Sequence, residues 1–304
     1  MTDFDVVVVG GGAAGLNGAL MLARSRRSVL VIDAGEPRNA PADRVHGLFA
    51  RDGVPPAELL EQGRAEVLRY GGEIIEGEVV SLAAGFTVGL AGGRQIRARR
   101  LLVTTGLVDE LPDVAGLREG WGSTVVHCPY CHGWEVRDRP IGVLATGPMA
   151  VHQALLFRQL SDDVMFFAHR QPALADDLAE QLAARDITLV EGPVAAFENG
   201  EVRLESGSVI PREVVAVGSR MVARGGFLAG LGLKPVEHPS GMGEHYPADP
   251  TGRSEVPGLF LAGNVTDLSA QVGSAAAGGA MAGAMINADL VAEETREAVA
   301  ARNA

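Results

Sequence analysis

The sequence is short of several residue types, and each shortage excludes a class of function. Lysine occurs once, at Lys234, so a lysine-dependent phosphate loop has no candidate and Schiff-base catalysis would depend on that one position. The opening residues MTDFDVVVVGGG lack the basic start of a secretory signal, which predicts a cytoplasmic protein. Basic residues are also outnumbered, 26 against 38 acidic ones, and the net charge of −12 repels nucleic acid and anionic membrane surfaces. We therefore expect neither as a partner.

What the sequence does contain is enough apolar material for a large core. The 304 residues are 47% hydrophobic and 21% charged, a soluble globular composition of a length that suits two domains. The residues from Leu268 to Ala288 carry no charge, but glycines and polar side chains such as Gln271 and Asn287 make this segment too polar and too small for lipid. We predict that it forms a buried helix packed tightly against a sheet.

The N-terminal region has the pattern of a dinucleotide-binding unit. An apolar, β-branched run over Asp5–Val9 predicts a strand, residues 10–15 form a glycine turn, and a helical pattern continues through Ala23. A second strand over Ser28–Ile32 ends at Asp33, at the distance expected for the acid that binds a ribose. The order strand, glycine turn, helix, strand, acid is much more specific than a lone GxGxxG.

Each residue of this motif has a separate role. Gly10 makes the tight turn, Gly12 lets the backbone approach a pyrophosphate, and Gly15 lets helix and strand pack closely. The phosphates would lie on the helix N-terminus, where free N–H groups and the helix dipole stabilise negative charge. Asp33 can accept hydrogen bonds from ribose hydroxyls. The alternative is a glycine-rich turn of an α/β protein that binds nothing.

A degraded copy of this unit follows later in the chain. The first glycine position is Ala145, the second is kept as Gly147, and the third is Ala150. Pro148 suits the first turn of a helix but has no N–H to offer a phosphate. The next strand ends without an acid, so a dinucleotide here would be NADP, with Arg170 against its 2′-phosphate. The alternative is a βαβ scaffold that has lost its nucleotide.

Other segments complete the outline. A strand from Arg100 ends in Thr-Thr-Gly at Gly106, and we interpret the Gly116 to Gly122 region as a linker. Near the C-terminus a strand from Gly258 enters a turn, and the helix of small residues begins at Gln271. A second helix N-terminus is thus offered to a ligand held by the first unit.

The two cysteines are Cys128 and Cys131, in the string HCPYCHG. In a cytosolic chain such a pair is more often catalytic or metal-bound than a structural staple. CxxCH is also the attachment motif of c-type haem, but that attachment normally occurs outside the cytoplasm. A zinc site would lack a second CxxC or a spaced histidine pair to complete four ligands. We therefore expect a thiol-disulfide centre without a metal.

Taken together, these motifs resemble the low-molecular-weight thioredoxin reductase family of FAD-dependent pyridine nucleotide-disulfide oxidoreductases. The resemblance covers nearly the whole chain and rests on VVVVGGGAAG, the TTG of residues 104–106, the CxxC ahead of a second nucleotide motif, and LFLAGNVTD with AQV and AAAGGAMAG. It implies an α/β fold of two Rossmann-like three-layer domains. The FAD-binding domain would be discontinuous, residues 1–115 and 222–304, with an inserted NAD(P)H-like domain at 116–221 that carries the CxxC.

The resemblance also implies the roles of individual residues, a homodimer, and a rotation between domains that presents the cysteine pair alternately to flavin and substrate. Cys128 would exchange with substrate, Cys131 would face the flavin, and His132 is our candidate for the proton shuttle, with His127 a weaker one. The residues matching FAD-binding positions are Gly10, Gly12, Gly15, Asp33, Thr105, Gly106, Gly263, Asn264, Gln271 and Val272. Candidates for a substrate cleft beside the pair are Trp121, Trp134, Phe49 and Tyr246.

Three departures from the family pattern narrow the expected function. Asn264 replaces an aspartate, which keeps an oxygen acceptor but removes a charge, so FAD binding should survive with a shifted flavin potential. His132 replaces the aspartate proton donor that usually follows the CxxC, and a histidine titrates near neutrality. The second nucleotide motif is damaged, so NADPH is a doubtful cofactor.

CxxCH with a weakened NADPH site is similar to a subset of the family, the flavin-dependent dithiol oxidases. We therefore expect an enzyme that forms a disulfide in a small-molecule dithiol and passes the electrons through FAD to O2. The alternatives are an NADPH-dependent thioredoxin reductase acting on a thioredoxin-like protein, a reductase with another electron donor, and an FAD-binding redox sensor without turnover. A sensor would need an appended recognition element, and the only tail, from Ala292 to Ala304, is short and mixed in charge.

Overall fold

The computed structural model describes residues 2–304 and has the expected α/β architecture. Its helices are α1 (Ala13–Arg24), α2 (Pro56–Arg69), α3 (Leu117–Gly120), α4 (Pro129–His132), α5 (Ala150–Phe157), α6 (Asp176–Ala183) and α7 (Val272–Arg302), with 3-10 helices over Gly226–Leu231 and Gly263–Val265. Its strands are β1 (Thr2–Val9), β2 (Val29–Asp33), β3 (Glu73–Glu76), β4 (Val79–Ala83), β5 (Thr87–Leu90), β6 (Gln95–Val103), β7 (Leu107–Glu110), β8 (Val125–Val126), β9 (Ile141–Leu144), β10 (Val164–Phe167), β11 (Thr188–Val190), β12 (Val194–Glu198), β13 (Glu201–Leu204), β14 (Val209–Pro211), β15 (Val214–Val217), β16 (Arg220–Ala223), β17 (Val236–Glu237), β18 (Gly243–His245) and β19 (Leu259–Leu261).

The first sheet joins strands from both ends of the chain. Its order is β3-β2-β1-β6-β5-β4, and β19 pairs in parallel with the C-terminal part of β6. The continuous apolar run of β1 is buried on both faces, as expected for a strand between helices and a second layer. Val6 and Val8 pack on the side of α1 and α7, whereas Val7 and Val9 pack on the opposite side.

The second sheet is built from the middle of the chain. Strands β11, β10, β9, β15 and β8 lie side by side in parallel, in that order. The three-stranded antiparallel sheet of β12, β13 and β14 packs near it, where Phe167 and Phe197 share one hydrophobic cluster. The Cys-containing segment leaves this sheet at the end of β8.

A third sheet lies where the chain passes between these two regions. Strand β7 pairs antiparallel with β16, which pairs with β18 and then β17. The boundary that the resemblance implies between residues 221 and 222 falls inside β16. The division into a discontinuous FAD-binding domain and an inserted domain remains a prediction.

Helix α7 is the predicted small-residue helix, but its main partner is a helix rather than a sheet. A Cβ on Gly279 would lie 1.9 Å from the carbonyl oxygen of Ala14 in α1, and one on Gly283 would lie 2.7 Å from that of Gly18. The glycines therefore allow the backbones of α1 and α7 to touch. The opposite face is open, with Met281 50% exposed, so the helix is only partly buried.

Among the described residues, α7 is also the one helix long and apolar enough to cross a membrane by length and composition, with 28% of its most apolar window buried.

Two local expectations are wrong. The supposed linker from Gly116 to Gly122 contains the short helix α3, which buries Leu117. The second motif's helix begins at Ala150, so Pro148 precedes the helix instead of occupying its first turn.

The C-terminal tail is helical to Arg302, and acidic residues at its start bind arginines of the first sheet.

These arginines form an ion-pair network between α7 and the sheet. Arg99 donates to Asp5, Glu293 and Glu294, with distances of 2.8 to 2.9 Å. Arg27 adds a second bond to Glu294 at 2.5 Å, and these two arginines lower the pKa of Glu294 to about 2. Exposed ion pairs contribute little singly, but several charges in a network contribute more.

The contact between α1 and α7 predicts opposite effects for two neighbouring glycines. Gly279→Ala should lower the free energy of unfolding by about 1–3 kcal/mol, because its methyl group would strike the backbone of α1. Gly278→Ala is the matched control: its Cβ meets nothing closer than 4.0 Å, so the substitution should be neutral or stabilise by up to about 1 kcal/mol. Chemical denaturation measures both, and equal effects would contradict the proposed backbone contact.

The network predicts a loss of stability in mild acid. Because the pKa of Glu294 is lowered to about 2 in the folded chain, its contribution is fully present above its ordinary pKa of 4.5 and is lost as the pH falls toward 2. Denaturation midpoints measured across that range should therefore fall more steeply for the wild type than for Glu294→Gln, which binds no proton. Parallel curves would show that Glu294 makes no such contribution.

Candidate redox-active site

The two cysteines lie at the start of a single helical turn. Cys128 is the N-cap of α4, and its carbonyl oxygen accepts hydrogen bonds from the N–H groups of Cys131 and His132. Pro129 occupies the first helical position, where its fixed φ suits a helix and its missing N–H costs nothing. The turn brings the two Sγ atoms together, and they form a disulfide. Cys128 therefore begins a helix, although one turn has only a weak dipole.

The C-terminal part of the chain meets this disulfide through one side chain. Gln271 is the N-cap of α7, and its Nε2 lies 3.9 Å from the Sγ atoms of both Cys128 and Cys131. Residues more than a hundred positions apart in the chain are thus in contact. The structure places the candidate redox pair beside Gln271, one of the residues that match FAD-binding positions of the family.

A cavity of about 1730 Å³ connects the proposed cofactor residues with the cysteine pair. The proposed site residues that line it are Gly10, Gly12, Asp33, Thr105, Gly106, Cys128, Cys131, His132, Gly263, Asn264, Gln271 and Val272. Gly15 is not among the lining residues. A Cβ there would lie 1.9 Å from the carbonyl oxygen of Gly10, so Gly15 instead permits the close packing of α1 on the turn.

One end of the cavity suits a pyrophosphate. Helix α1 begins after Gly12 without a side-chain cap, and a Cβ on Gly12 would meet no atom within 4 Å. The helix N-terminus therefore has room and free N–H donors for negatively charged oxygens. Gly10 has a φ of +107°, and a Cβ there would lie 2.5 Å from the carbonyl oxygen of Thr104, so only glycine fits this turn.

The ribose acid is held by two partners. Asp33 Oδ1 accepts a hydrogen bond from the N–H of Gly11 at 3.1 Å, and Oδ2 pairs with Arg64 at 2.5 Å. These bonds fix the carboxylate at the mouth of the glycine turn. The open helix N-terminus, the fixed acid and the size of the cavity all fit FAD.

Asn264 lies between the turn before α7 and an arginine that the sequence did not single out. Its amide Nδ2 donates to the carbonyl oxygens of Asp267 and Ala270 at 2.9 Å each, which shapes the turn. Its Oδ1 accepts a bond from Arg38 at 3.3 Å, and Arg38 also binds both carboxylate oxygens of Asp109 at 2.7 Å. Arg38 therefore contacts the position where the family pattern has an aspartate, and Asp109 balances its charge.

His132 is half-buried beside the disulfide. Neither of its ring nitrogens has a hydrogen-bond partner among residues 2–304, and both atoms are inaccessible to solvent. Burial lowers the pKa of His132, nearby Glu135 opposes that shift, and the charge of His46 adds to it. The imidazole is therefore neutral near pH 7 and able to accept a proton.

His127 serves a different purpose. Its Nδ1 lies 3.2 Å from the carbonyl oxygen of Val217, its own carbonyl accepts a bond from Gln153, and its ring packs edge-on against Trp121. Burial is the main cause that lowers its pKa. These contacts describe a packing residue rather than a proton shuttle.

The four aromatic candidates for a substrate cleft divide into three groups. Tyr246 is buried in the core of the first sheet against Gly225, so its assignment to the cleft is wrong. Trp121 is half-buried beside His127. Phe49 and Trp134 are 96% and 67% exposed, and Tyr130, which stands between the cysteines, is 69% exposed. Sequence reasoning missed Tyr130, although its position inside the CxxC is a direct signal.

The structure shows further features of the second nucleotide motif that disfavour binding of NADPH. Arg170, the candidate for a 2′-phosphate, is ion-paired with Glu205. Pro148 lies outside α5, and the loop at Gly241 is its neighbour, with 3.5 Å between an added Cβ on Gly241 and the proline ring. The motif therefore lacks one N–H donor, and its one candidate arginine already has an acidic partner at the surface.

Comparison with known proteins places this site in a family. The family described as pyridine nucleotide-disulphide oxidoreductase matches residues 4–283. The "Thioredoxin reductase tcpT" of Claviceps purpurea is 32% identical over 308 residues, covering 95% of each chain. The crystal structure of HlmI is 46% identical, with a TM-score of 0.92 over 99% of this chain and 98% of that one. An oxidoreductase from Agrobacterium tumefaciens is 35% identical, with a TM-score of 0.91 over 96% and 99%.

The match spans almost the entire chain and includes both nucleotide motifs and the cysteine pair. The fold class, the cofactor and the enzymatic nature expected from the sequence are confirmed. The chain belongs to the pyridine nucleotide-disulphide oxidoreductase family and is a thioredoxin reductase-like, FAD-dependent oxidoreductase.

Proposed function

We propose that this protein is a dithiol oxidase, which forms a disulfide in a small-molecule dithiol and transfers the electrons to O2. The observation that carries the proposal is the state of the second nucleotide motif. Its turn holds Pro148, which cannot donate a hydrogen bond to a phosphate, and its only candidate for a 2′-phosphate is Arg170, which forms an exposed ion pair with Glu205. An enzyme with a poor NADPH site needs another source of electrons, and a dithiol substrate is one.

The disulfide can take those electrons by two exchange steps. A substrate thiolate attacks Sγ of Cys128, forming a mixed disulfide and releasing Cys131 as a thiolate. The second substrate thiolate then attacks the substrate sulfur of the mixed disulfide and releases Cys128. The substrate loses two electrons and two protons, and the cysteine pair gains the electrons. Bound FAD would take the electrons from the pair and deliver them to O2, giving hydrogen peroxide.

His132 supplies the proton acceptor for these steps. It follows Cys131 directly, and its ring nitrogens are not engaged by other described residues. Because burial lowers its pKa, the imidazole is uncharged at neutral pH and can take a proton from a thiol. A carboxylate at the same position would be a weaker base.

The surroundings of the pair support a small organic substrate. Both cysteines are half-exposed, and the neighbouring Tyr130 and Trp134 offer aromatic surface to solvent. Exposed aromatic side chains favour an apolar molecule of limited size.

The second candidate function is an NADPH-dependent thioredoxin reductase. It is supported by the printed names of curated relatives, including the Claviceps purpurea protein, which matches over 95% of both chains. In that case electrons would leave through Cys128 to a protein disulfide.

The homodimer that the family resemblance implies also remains a prediction.

The two functions predict opposite results in an anaerobic cuvette. If the protein is a dithiol oxidase, a small dithiol such as dithiothreitol should bleach the flavin absorbance, whereas NADPH should leave it unchanged. Admission of air should then restore the yellow colour and produce peroxide. Fast bleaching by NADPH would instead favour the reductase.

The cysteine pair provides the control for that experiment. Cys128→Ser and Cys131→Ser should each keep the bound flavin yet lose dithiol-dependent bleaching, because neither can complete the exchange. A Cys128→Ser variant that turned over thiols at the wild-type rate would overturn the proposed mechanism.

The role of His132 can be tested through the pH dependence of flavin reduction. His132→Gln should slow anaerobic flavin reduction by dithiol by about 100-fold or more at neutral pH, because it removes the general base. Because burial lowers the pKa of His132, the imidazole stays neutral below pH ~6.5, the ordinary pKa of histidine. The wild type should therefore remain faster than the variant by the same factor below that pH. Stopped-flow absorbance measures both rates, and a ratio near one at every pH would exclude His132 as the proton acceptor.

A further inference from the structure

A second histidine lies near the disulfide and has no part in the reaction described above. His46 belongs to the segment between β2 and α2. Val45 pairs with Val54 as an isolated bridge, and Asp52 Oδ1 accepts a hydrogen bond from the N–H of Gly47 at 2.9 Å. The loop of residues 45–54 is therefore closed on itself, which holds the histidine in a defined position.

This loop borders the cysteine pair. A Cβ on Gly47 would lie 3.8 Å from Oε1 of Gln271, the residue whose Nε2 contacts both sulfurs. The side chain of Leu48 packs against Gly273 in the first turn of α7, with 3.6 Å to the position of an added Cβ. The histidine loop and the disulfide thus contact the same end of α7.

The imidazole of His46 lies between two carboxylates. Its Nδ1 is 3.4 Å from Oδ1 of Asp52, and its Nε2 is 3.3 Å from Oε1 of Glu135. The Nε2 atom is buried, and the contact with Glu135 is not aligned as a hydrogen bond. The two carboxylates are well exposed, at 69% and 41%, so they connect the ring to solvent.

Three imidazole nitrogens without a hydrogen bond belong to two histidines that share Glu135 as a charged neighbour. They are Nε2 of His46 and both ring nitrogens of His132, and within the described chain they are the only buried side-chain nitrogen or oxygen atoms without a hydrogen bond. A buried polar group left without a partner costs about 1–3 kcal/mol. Concentrating that cost beside a redox disulfide indicates that these atoms serve the chemistry and not the stability of the fold.

The two imidazoles are also linked electrostatically. A charge on His46 lowers the pKa of His132, while Glu135 and Asp43 raise it. The two rings are therefore close enough for a charge on one to act on the other.

We propose that His46 is a positioning residue that receives the proton from His132 and passes it to solvent by way of Asp52 and Glu135. The inference rests on the proposed dithiol oxidase function. The substrate thiols lose two protons. His132 accepts the first and transfers it to His46, so that His132 is neutral again and can accept the second. No oxidant is needed beyond the disulfide itself, which takes the two electrons.

The relay is assembled from two separate parts of the chain. His46 and Asp52 precede α2, whereas His132 and Glu135 lie beside the cysteines in the middle of the sequence. In the arrangement described here the disulfide lies against Gln271 while His46 lies against Glu135.

The test is the pH dependence of flavin reduction by dithiothreitol under anaerobic conditions, in the full-length holoprotein. His46→Gln should reduce this rate by about tenfold or more at pH 6.5, where few other bases are available. The defect should shrink toward pH 9, because hydroxide and buffer then take the proton. Imidazole added to His46→Ala should restore part of the rate in proportion to its neutral form, which a purely structural role for His46 would not explain.

Matched variants separate the possible outcomes. His238→Gln removes a histidine whose Nδ1 lies 2.7 Å from Ser240 Oγ, and it should behave as wild type. Flavin content and melting temperature check the fold of each variant, and Glu135→Gln, which should cause a smaller defect of the same pH dependence, replaces His46→Gln if that variant loses its flavin.

A wild-type rate and pH profile in both His46→Gln and Glu135→Gln would overturn the relay while leaving the oxidase intact. Failure of dithiothreitol to reduce the wild-type flavin would overturn the oxidase and the relay together.

Discussion

The contact on which the site depends is the meeting of three backbones without intervening side chains. Gly15 brings α1 onto the turn at Gly10, and Gly279 brings α7 onto α1 at Ala14. Because no Cβ separates these elements, the N-termini of α1 and α7 open into one cavity. The first N-terminus supplies phosphate donors at Gly12, and the second places Gln271 against the disulfide. A single bulky residue at either glycine would move the two halves of the cofactor site apart.

The remaining parts of the site come from segments that carry no regular structure. Residues between β2 and α2 contribute Arg38 and His46, which reach the turn at Asn264 and the carboxylate of Glu135. Loops can supply such groups because rigid elements hold their ends, here β2 and α2. The scaffold thus fixes the disulfide at the wall of the cavity, and the loop contributes charged groups around it.

Local motifs predicted the parts of the molecule that depend on neighbours in the sequence. The glycine turn with Asp33 and the CxxC each need residues a few positions apart, so their spacing is visible in the chain. The pairing of Arg170 with Glu205, the reach of Arg38 to Asp109 and the approach of His46 to Glu135 join distant segments. No rule based on residue spacing predicts these three contacts. The helix α7 was recognised from its small residues, but those residues could not show that its partner is α1 instead of a sheet.

The placement of the two tryptophans has an optical consequence. The sequence contains only Trp121 and Trp134, and they flank the cysteine pair on either side. Trp121 packs edge-on against His127, and the guanidinium of Arg137 lies 4.1 Å from the ring of Trp134. All indole emission of this chain therefore originates within a few residues of the disulfide. Tryptophan fluorescence therefore reports on the surroundings of the disulfide without any engineered probe.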